Sequence, residues 1–183
     1  MPHPSHLLNA EIYFTIRPCP LGSLLIAKTE NGICSIMMDD HDAVMKLALI
    51  RRYANARIIN DDDVFQDVSN KIIDCMNRPD TSPEILLDLH GTSFQLQVWR
   101  TLQSIPVGVT TSYAAIAARI GMPSSFRAVA MACAANPVAI LVPCHRVVKS
   151  NGSVSGYRWG VERKKRLLAI EQNCLKKSNP SSI

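Results

Sequence analysis

Nowhere in the 183 residues do eighteen apolar residues run without a break, and the opening "MPHPSHLLNAEIYF" has no basic segment leading into a long apolar one. The patterns of a membrane-spanning helix and of a secretory leader are both unmet, so a soluble, cytoplasmic chain with no membrane partner is expected. The six cysteines, Cys19, Cys34, Cys75, Cys133, Cys144 and Cys174, form no CxxC pair and no regularly spaced set with histidine. Neither a disulfide framework nor a zinc site is indicated, and a reducing compartment suits them. Acidic residues nearly vanish from the second half: residues 91–183 hold 2 Asp/Glu against 12 Lys/Arg, whereas residues 1–90 hold 13 against 8. The second half therefore faces a polyanion, a nucleic acid or an anionic membrane, although a run such as "ERKKR" (162–166) is more commonly a solvated helix face. With 47% hydrophobic and 19% charged residues the chain is globular, as one domain or two small ones.

The first half reads as a small antiparallel sheet with helices. "GSLLIAKTENGICSIMM" (22–38) is two apolar runs around Asn31-Gly32, which predicts a hairpin closed by a tight type I′ turn, with "EIYFTIR" (11–17) as a further strand. Apolar residues at three-to-four spacing predict helices over 43–53 and 64–76, the latter burying Val64, Val68, Ile72 and Met76 on one face. Asp61, Asp62 and Asp63 precede that helix as an exposed turn favoured by its dipole. "NRPDTSPE" (77–84), with two prolines, is the candidate linker between a domain at 1–90 and another at 91–183.

The second half reads as mainly helical. Thr92 and Gln95 stand in capping-box spacing before Phe94, Val98 and Leu102, which form a core-facing stripe. A short helix from residue 112, a break at Gly121-Met122-Pro123 and a second helix over 125–135 make a helix-turn-helix, or else an ordinary helical hairpin. Ala128, Ala130, Ala132, Ala134 and Ala135 leave the second helix little to bury, so it can approach a nucleic-acid groove closely with Arg127 as a probe.

"ILVPCHRVV" (140–148) then sets a cysteine, a histidine and an arginine side by side after an apolar run. A cysteine in such a place is by default an inert small hydrophobe. A helix from about Val161 carries Glu171 on the face of Leu167 and Leu168, where a buried carboxylate needs a partner that His145 can supply. Cys144 as nucleophile, His145 as base and Glu171 to orient the base follow the logic of an activated nucleophile. Adjacent side chains in extended backbone point apart, so a bridging water between Cys144 and His145 is expected.

"PCHRVV", preceded by "RAVAMACAANP" and followed by "GSVSGYRWGVERKKRLLAIE", resembles the O⁶-alkylguanine-DNA alkyltransferases, and among them the carboxy-terminal part of the bacterial adaptive-response member. The likeness runs faintly through 11–90 and strongly through 91–171. It implies a ribonuclease H-like α/β domain followed by a mainly helical, winged-helix-like domain. It implies irreversible transfer of an alkyl group from O⁶ of guanine, or less readily O⁴ of thymine, in duplex DNA to a cysteine that is thereby consumed.

Carried onto this chain, the resemblance makes Cys144 the acceptor, His145 its base through water and Glu171 the holder of His145. Arg146 becomes a structural anchor, and Asn136 the hinge that ties the helix-turn-helix to the cysteine segment. Arg127 would fill the gap left by an extruded nucleotide, with Tyr113 crowding the phosphate and Ala128 on the helix face set into the minor groove. Tyr157, Lys164 and Cys133 would belong to the substrate pocket, Tyr157 and Lys164 offering groups to the base or its leaving oxygen. Monomeric action without metal or cofactor is implied. The adaptive-response member's additional amino-terminal, zinc-bearing sensor is not expected in this chain, nor is the zinc site of some relatives, since Cys19, Cys34, His41 and His90 do not match it. A DNA-binding regulator without chemistry would account for the helix-turn-helix and the charge, and a thiol hydrolase for Cys144, His145 and Glu171. Neither accounts for both.

Overall fold

The computed structural model describes residues 10–79, 81 and 83–178. Three strands, β1 (Glu11–Cys19), β2 (Gly22–Thr29) and β3 (Gly32–Asp39), form an antiparallel meander, and after helix α1 (Asp42–Arg52) a fourth, β4 (Arg57–Asn60), pairs with β1 in parallel, giving the order β3-β2-β1-β4. The sheet is thus mixed where sequence predicted an antiparallel one. "RIIN" is too short and too poorly alternating to announce itself. In β2 the consecutive residues Leu24, Leu25, Ile26 and Ala27 are all buried, so both faces of the sheet are covered.

The hairpin forms one residue earlier than expected and without the type I′ turn: Glu30 and Asn31 are its turn residues, neither with positive φ, while Gly32, at φ 144°, already pairs with Thr29, and the strands slip by a bulge between Ala27 and Lys28. Glycine is needed there for a second reason: a Cβ on Gly32 would stand 2.5 Å from the carbonyl oxygen of Leu86. That approach lets Ile33 bond with Leu86 and Asp88 through its backbone. Further along the same strand edge, Ile36 N–H donates to the Pro137 carbonyl at 2.9 Å and Ala139 N–H donates to Ile36 at 3.1 Å. The free edge of β3 is therefore covered by the chain leading out of the first half and by the segment just before Cys144.

Helix α2 (Gln66–Asn77) is entered through a 3₁₀ turn, Asp63–Phe65, whose tighter winding rotates the expected stripe. Phe65, Ile72 and Met76 are buried while Val64 is exposed, a correction to the sequence reading. Asp61 accepts from the backbone N–H groups of Asp63 and Val64, which gives the acidic run its local role. In the candidate linker, Asp80 and Ser82 lie outside the described residues.

Helix α3 (Ser93–Gln103) begins with the predicted capping box and buries Val98, Trp99 and Leu102, with Phe94 half-buried. Trp99 Nε1 donates to the Ala132 carbonyl and so ties α3 to the helix-turn-helix. A two-residue strand β5 (Thr111–Ser112) leads into α4 (Tyr113–Arg119), capped by the Ser112 hydroxyl. Gly121 at φ 76° ends α4: its N–H donates to Ala118 and that of Met122 to Ala117, the Schellman pattern that favours glycine. Helix α5 (Phe126–Ala134) follows, then β6 (Val147–Val148), parallel to β5, and α6 (Val161–Ser178). Among the described residues no helix is long and apolar enough to cross a membrane.

The basic run at 162–166 is only in part a solvated face: Glu162, Lys165 and Arg166 are exposed, with Lys165 paired to Glu162, but two of its cations are drawn inward. Arg163 pairs with Asp40 and donates to the Leu21 carbonyl, Arg166 donates to the Pro20 carbonyl, and Lys164 is wholly buried. This run fastens α6 to the β1–β2 turn.

Candidate active site

The segment from Asn136 to Arg146 is folded by two successive three-residue turns. Leu141 N–H donates to Ala139 around Ile140, and Cys144 N–H donates to Val142 around Pro143. Ile140 sits at φ 72°, a conformation that costs a β-branched side chain about 1–3 kcal/mol and must be held by its surroundings. Asn136, fully buried, does much of the holding: its Nδ2 donates to Val142 O at 2.8 Å and to Cys144 Sγ at 3.2 Å, while its Oδ1 accepts from Val138 N–H at 3.0 Å.

Cys144–Arg146 is a 3₁₀ turn, which corrects the extended backbone assumed from sequence. His145 Nε2 lies 2.8 Å from Glu171 Oε1, and Nδ1 of the same buried ring has no partner among the described residues. Burial alone would raise the Glu171 carboxyl, but hydrogen bonds from His145, from Arg146 Nε and from Gly108 N–H outweigh it and hold it at about 2. An ionised Glu171 can only accept, so Nε2 carries the proton. Burial lowers the His145 pKa against the pull of Glu171, so the ring is neutral at neutral pH and Nδ1 presents its lone pair as a base. Burial also pushes the Cys144 thiol up to about 11, with Asn136 and Lys164 opposing. The resting sulfur is a thiol and needs that base. Arg146 acts as an anchor, bonding Glu171 on one side and the Ile105 carbonyl on the other.

Cys144 is only 4% exposed, and it is reached through a cavity of about 540 Å³ whose lining includes Tyr113, Arg127, Cys133, Cys144 and Tyr157. The Tyr157 hydroxyl is buried there without a partner among the described residues, and burial raises its pKa well above the ordinary value, so it stays protonated as a donor. Arg127 is exposed at the start of α5, on the helix that also exposes Ala128 and Ala134. Lys164 is in a different situation from the one sequence suggested. It is absent from the cavity lining, and its ammonium donates to the carbonyls of Val147, Ser155 and Gly156. Its three protons are committed to the backbone, and it braces the arm that carries Tyr157. Sequence reasoning passed over Arg158 and Lys149, which line the same cavity; the only signal for them was their position beside already chosen residues.

The description "6-O-methylguanine DNA methyltransferase, DNA binding domain" matches residues 93–173, and "6-O-methylguanine DNA methyltransferase, ribonuclease-like domain" matches residues 12–89. The chain is 45% identical over 163 residues to the bifunctional transcriptional activator/DNA repair enzyme Ada of Escherichia coli, covering 89% of this chain and 46% of that protein. It thus spans less than half the length of that relative. It is 36% identical to the methylated-DNA–protein-cysteine methyltransferase of Methanosarcina mazei, over 90% of this chain and 100% of that one. The crystal structure of Mycobacterium tuberculosis O6-methylguanine methyltransferase superposes with a TM-score of 0.74 at 31% identity, covering 88% of this chain and 93% of that one. The same organism's OGT in complex with DNA gives 0.70 at 30%, covering 90% and 94%.

Proposed function

Because the chain belongs to the 6-O-methylguanine DNA methyltransferase family, we propose that it repairs DNA by moving the alkyl group of O⁶-alkylguanine, or of O⁴-alkylthymine, onto Cys144 in one irreversible turnover. The observation that carries this reading is a protonated thiol at the floor of a nucleotide-sized cavity, backed by a neutral histidine with a bare nitrogen. The lesion's O⁶ is stacked inside duplex DNA, so the nucleotide must first rotate out, at about a few kcal/mol. Helix α5, with its small exposed alanines, enters the minor groove. Arg127 fills the vacated stack and Tyr113 crowds the phosphate, offsetting that cost.

Chemistry then proceeds by displacement. His145 Nδ1 takes the Cys144 proton through a water, and Glu171 stabilises the imidazolium. The sulfur forms a bond to the alkyl carbon as the C–O⁶ bond breaks and its electron pair leaves with guanine. The Tyr157 hydroxyl donates a hydrogen bond to that departing oxygen, and guanine regains a proton from solvent. The product thioether has no means of reversal. All catalytic parts come from one chain, so it acts as a monomer, with residues 1–90 as the support and 91–183 as the DNA-binding and transfer unit. No metal or cofactor enters the reaction. A thiol that must stay reduced, among six free cysteines, suits the cytoplasm. The test is stoichiometry: with excess duplex containing O⁶-methylguanine, repaired lesions should plateau at one per protein, and continued turnover would contradict the proposal.

A further inference from the structure

Among the described residues three cations line the cavity above Cys144, namely Arg127, Lys149 and Arg158, and no carboxylate does. Arg127 has a task in the proposed flipping step; the other two have none. Among the described residues neither the Lys149 nor the Arg158 side chain makes a hydrogen bond or an ion pair, whereas Arg146, Arg163 and Lys164 of the same half all find carboxylates or carbonyls. Both are exposed, and their charge is not committed to the fold.

Their backbones, by contrast, are firmly held. Gly160 N–H donates to the Tyr157 carbonyl at 3.1 Å, closing a turn with Arg158 and Trp159 at its tip. Trp159 is buried, with its ring 5.1 Å from that of Tyr157, and the Arg158 guanidinium lies 6.0 Å over the Trp159 ring. Lys164 pins Ser155 and Gly156 just ahead of the turn. Lys149 heads a second braced turn, in which Gly152 N–H donates to Lys149 O at 2.8 Å and Lys149 N–H donates to Ser153 O at 3.1 Å. Two rigid turns thus each present one unpaired cation to the space a nucleotide would occupy. Arg158 and Cys144 line the same cavity, so the guanidinium shares the space of the reacting centre. A guanine base is neutral and asks for no such charge. The phosphodiester of the strand that carries it does, and a guanidinium fork suits its two free oxygens.

We propose that Arg158, with Lys149 beside it, clamps the phosphodiester that joins the extruded nucleotide to its neighbour, so that the cavity recognises a nucleotide within a strand and not a base alone. The inference rests on the repair reading above. It assigns binding roles to two residues outside the transfer chemistry.

The test uses duplexes with a single O⁶-methylguanine whose two flanking phosphates are replaced, one at a time, by uncharged methylphosphonate. Arg158→Ala and, as a shape-conserving second variant, Arg158→Gln should raise the half-saturating duplex concentration by about tenfold to a hundredfold, the worth of a charge-assisted hydrogen bond. At one of the two positions the methylphosphonate should cause a similar loss with the unaltered chain, yet less than about a twofold further loss with either variant. Losses that multiply at both positions would overturn the clamp, because the charge would then act on the whole duplex. Absence of transfer by the unaltered chain would instead remove the repair reading itself.

Discussion

The Glu171 carboxylate lies 2.8 Å from Nε2 of His145 and, being ionised, fixes the tautomer that leaves Nδ1 bare. Glu171→Gln keeps the shape and an acceptor oxygen but removes the charge that stabilises the imidazolium. Transfer should slow by about a hundredfold, the usual scale of lost general-base assistance, while DNA affinity holds. The acid limb of the rate profile should also move to lower pH, since Glu171 raises the His145 pKa. A merely structural glutamate would leave that limb in place.

Acid should take stability from the protein over two pH ranges. His145 has a lowered pKa in the folded state, so the stability tied to its neutral form is present above pH 6.5 and is lost as pH falls below that value. Glu171, ordinarily near 4.5 and held at about 2, contributes stability that is complete above 4.5 and lost as pH falls through 2. That second contribution is on the order of 3 kcal/mol. Denaturant midpoints measured from pH 8 to pH 2 should show both losses, and Glu171→Gln should abolish the lower one.

Asn136→Ala should destabilise by about 1–3 kcal/mol, because it leaves the buried Val138 N–H unsatisfied and takes from the Val142 carbonyl one of its two donors, the Cys144 N–H remaining, beside the strained turn at Ile140. It should also raise the Cys144 thiol further, since the Nδ2 hydrogen bond lowers it. The pH dependence of iodoacetamide labelling at Cys144 reads this directly.

Arg127→Ala separates flipping from attraction. It should lower the first-order rate at saturating duplex, and lowering salt should not restore it, whereas a lost phosphate contact would be recovered by lower salt. Reaction with free O⁶-benzylguanine, if the cavity admits that base, needs no extrusion and should hardly change. Equal slowing with duplex and free base would place Arg127 in the structure of the cavity instead.

What the sequence revealed follows from how local the signals are. The Thr92–Gln95 cap, the break at Gly121 and the strands around Asn31-Gly32 are written within a few residues and were legible. Cys144, His145 and Glu171 stood out by residue type, and the space between His145 and Glu171 in the chain is closed only by the packing of α6. Other features depended on tertiary approach. The four-residue β4 is a strand only because β1 offers an edge, and Gly32 is required by Leu86, far away in the chain. Lys164 looked like a substrate donor because no sequence shows three carbonyls converging on its ammonium. Arg163 looked like a surface charge until α6 met Asp40.

The central claim is that one sulfur accepts one alkyl group. Intact mass and peptide mapping after incubation with duplex carrying O⁶-methylguanine test it most directly. The account predicts a gain of one methyl group per chain, all of it on Cys144, and no gain in Cys144→Ser, which should still bind duplex. Methyl on Cys133, the other thiol lining the cavity, or an unchanged mass despite repaired DNA, would contradict it.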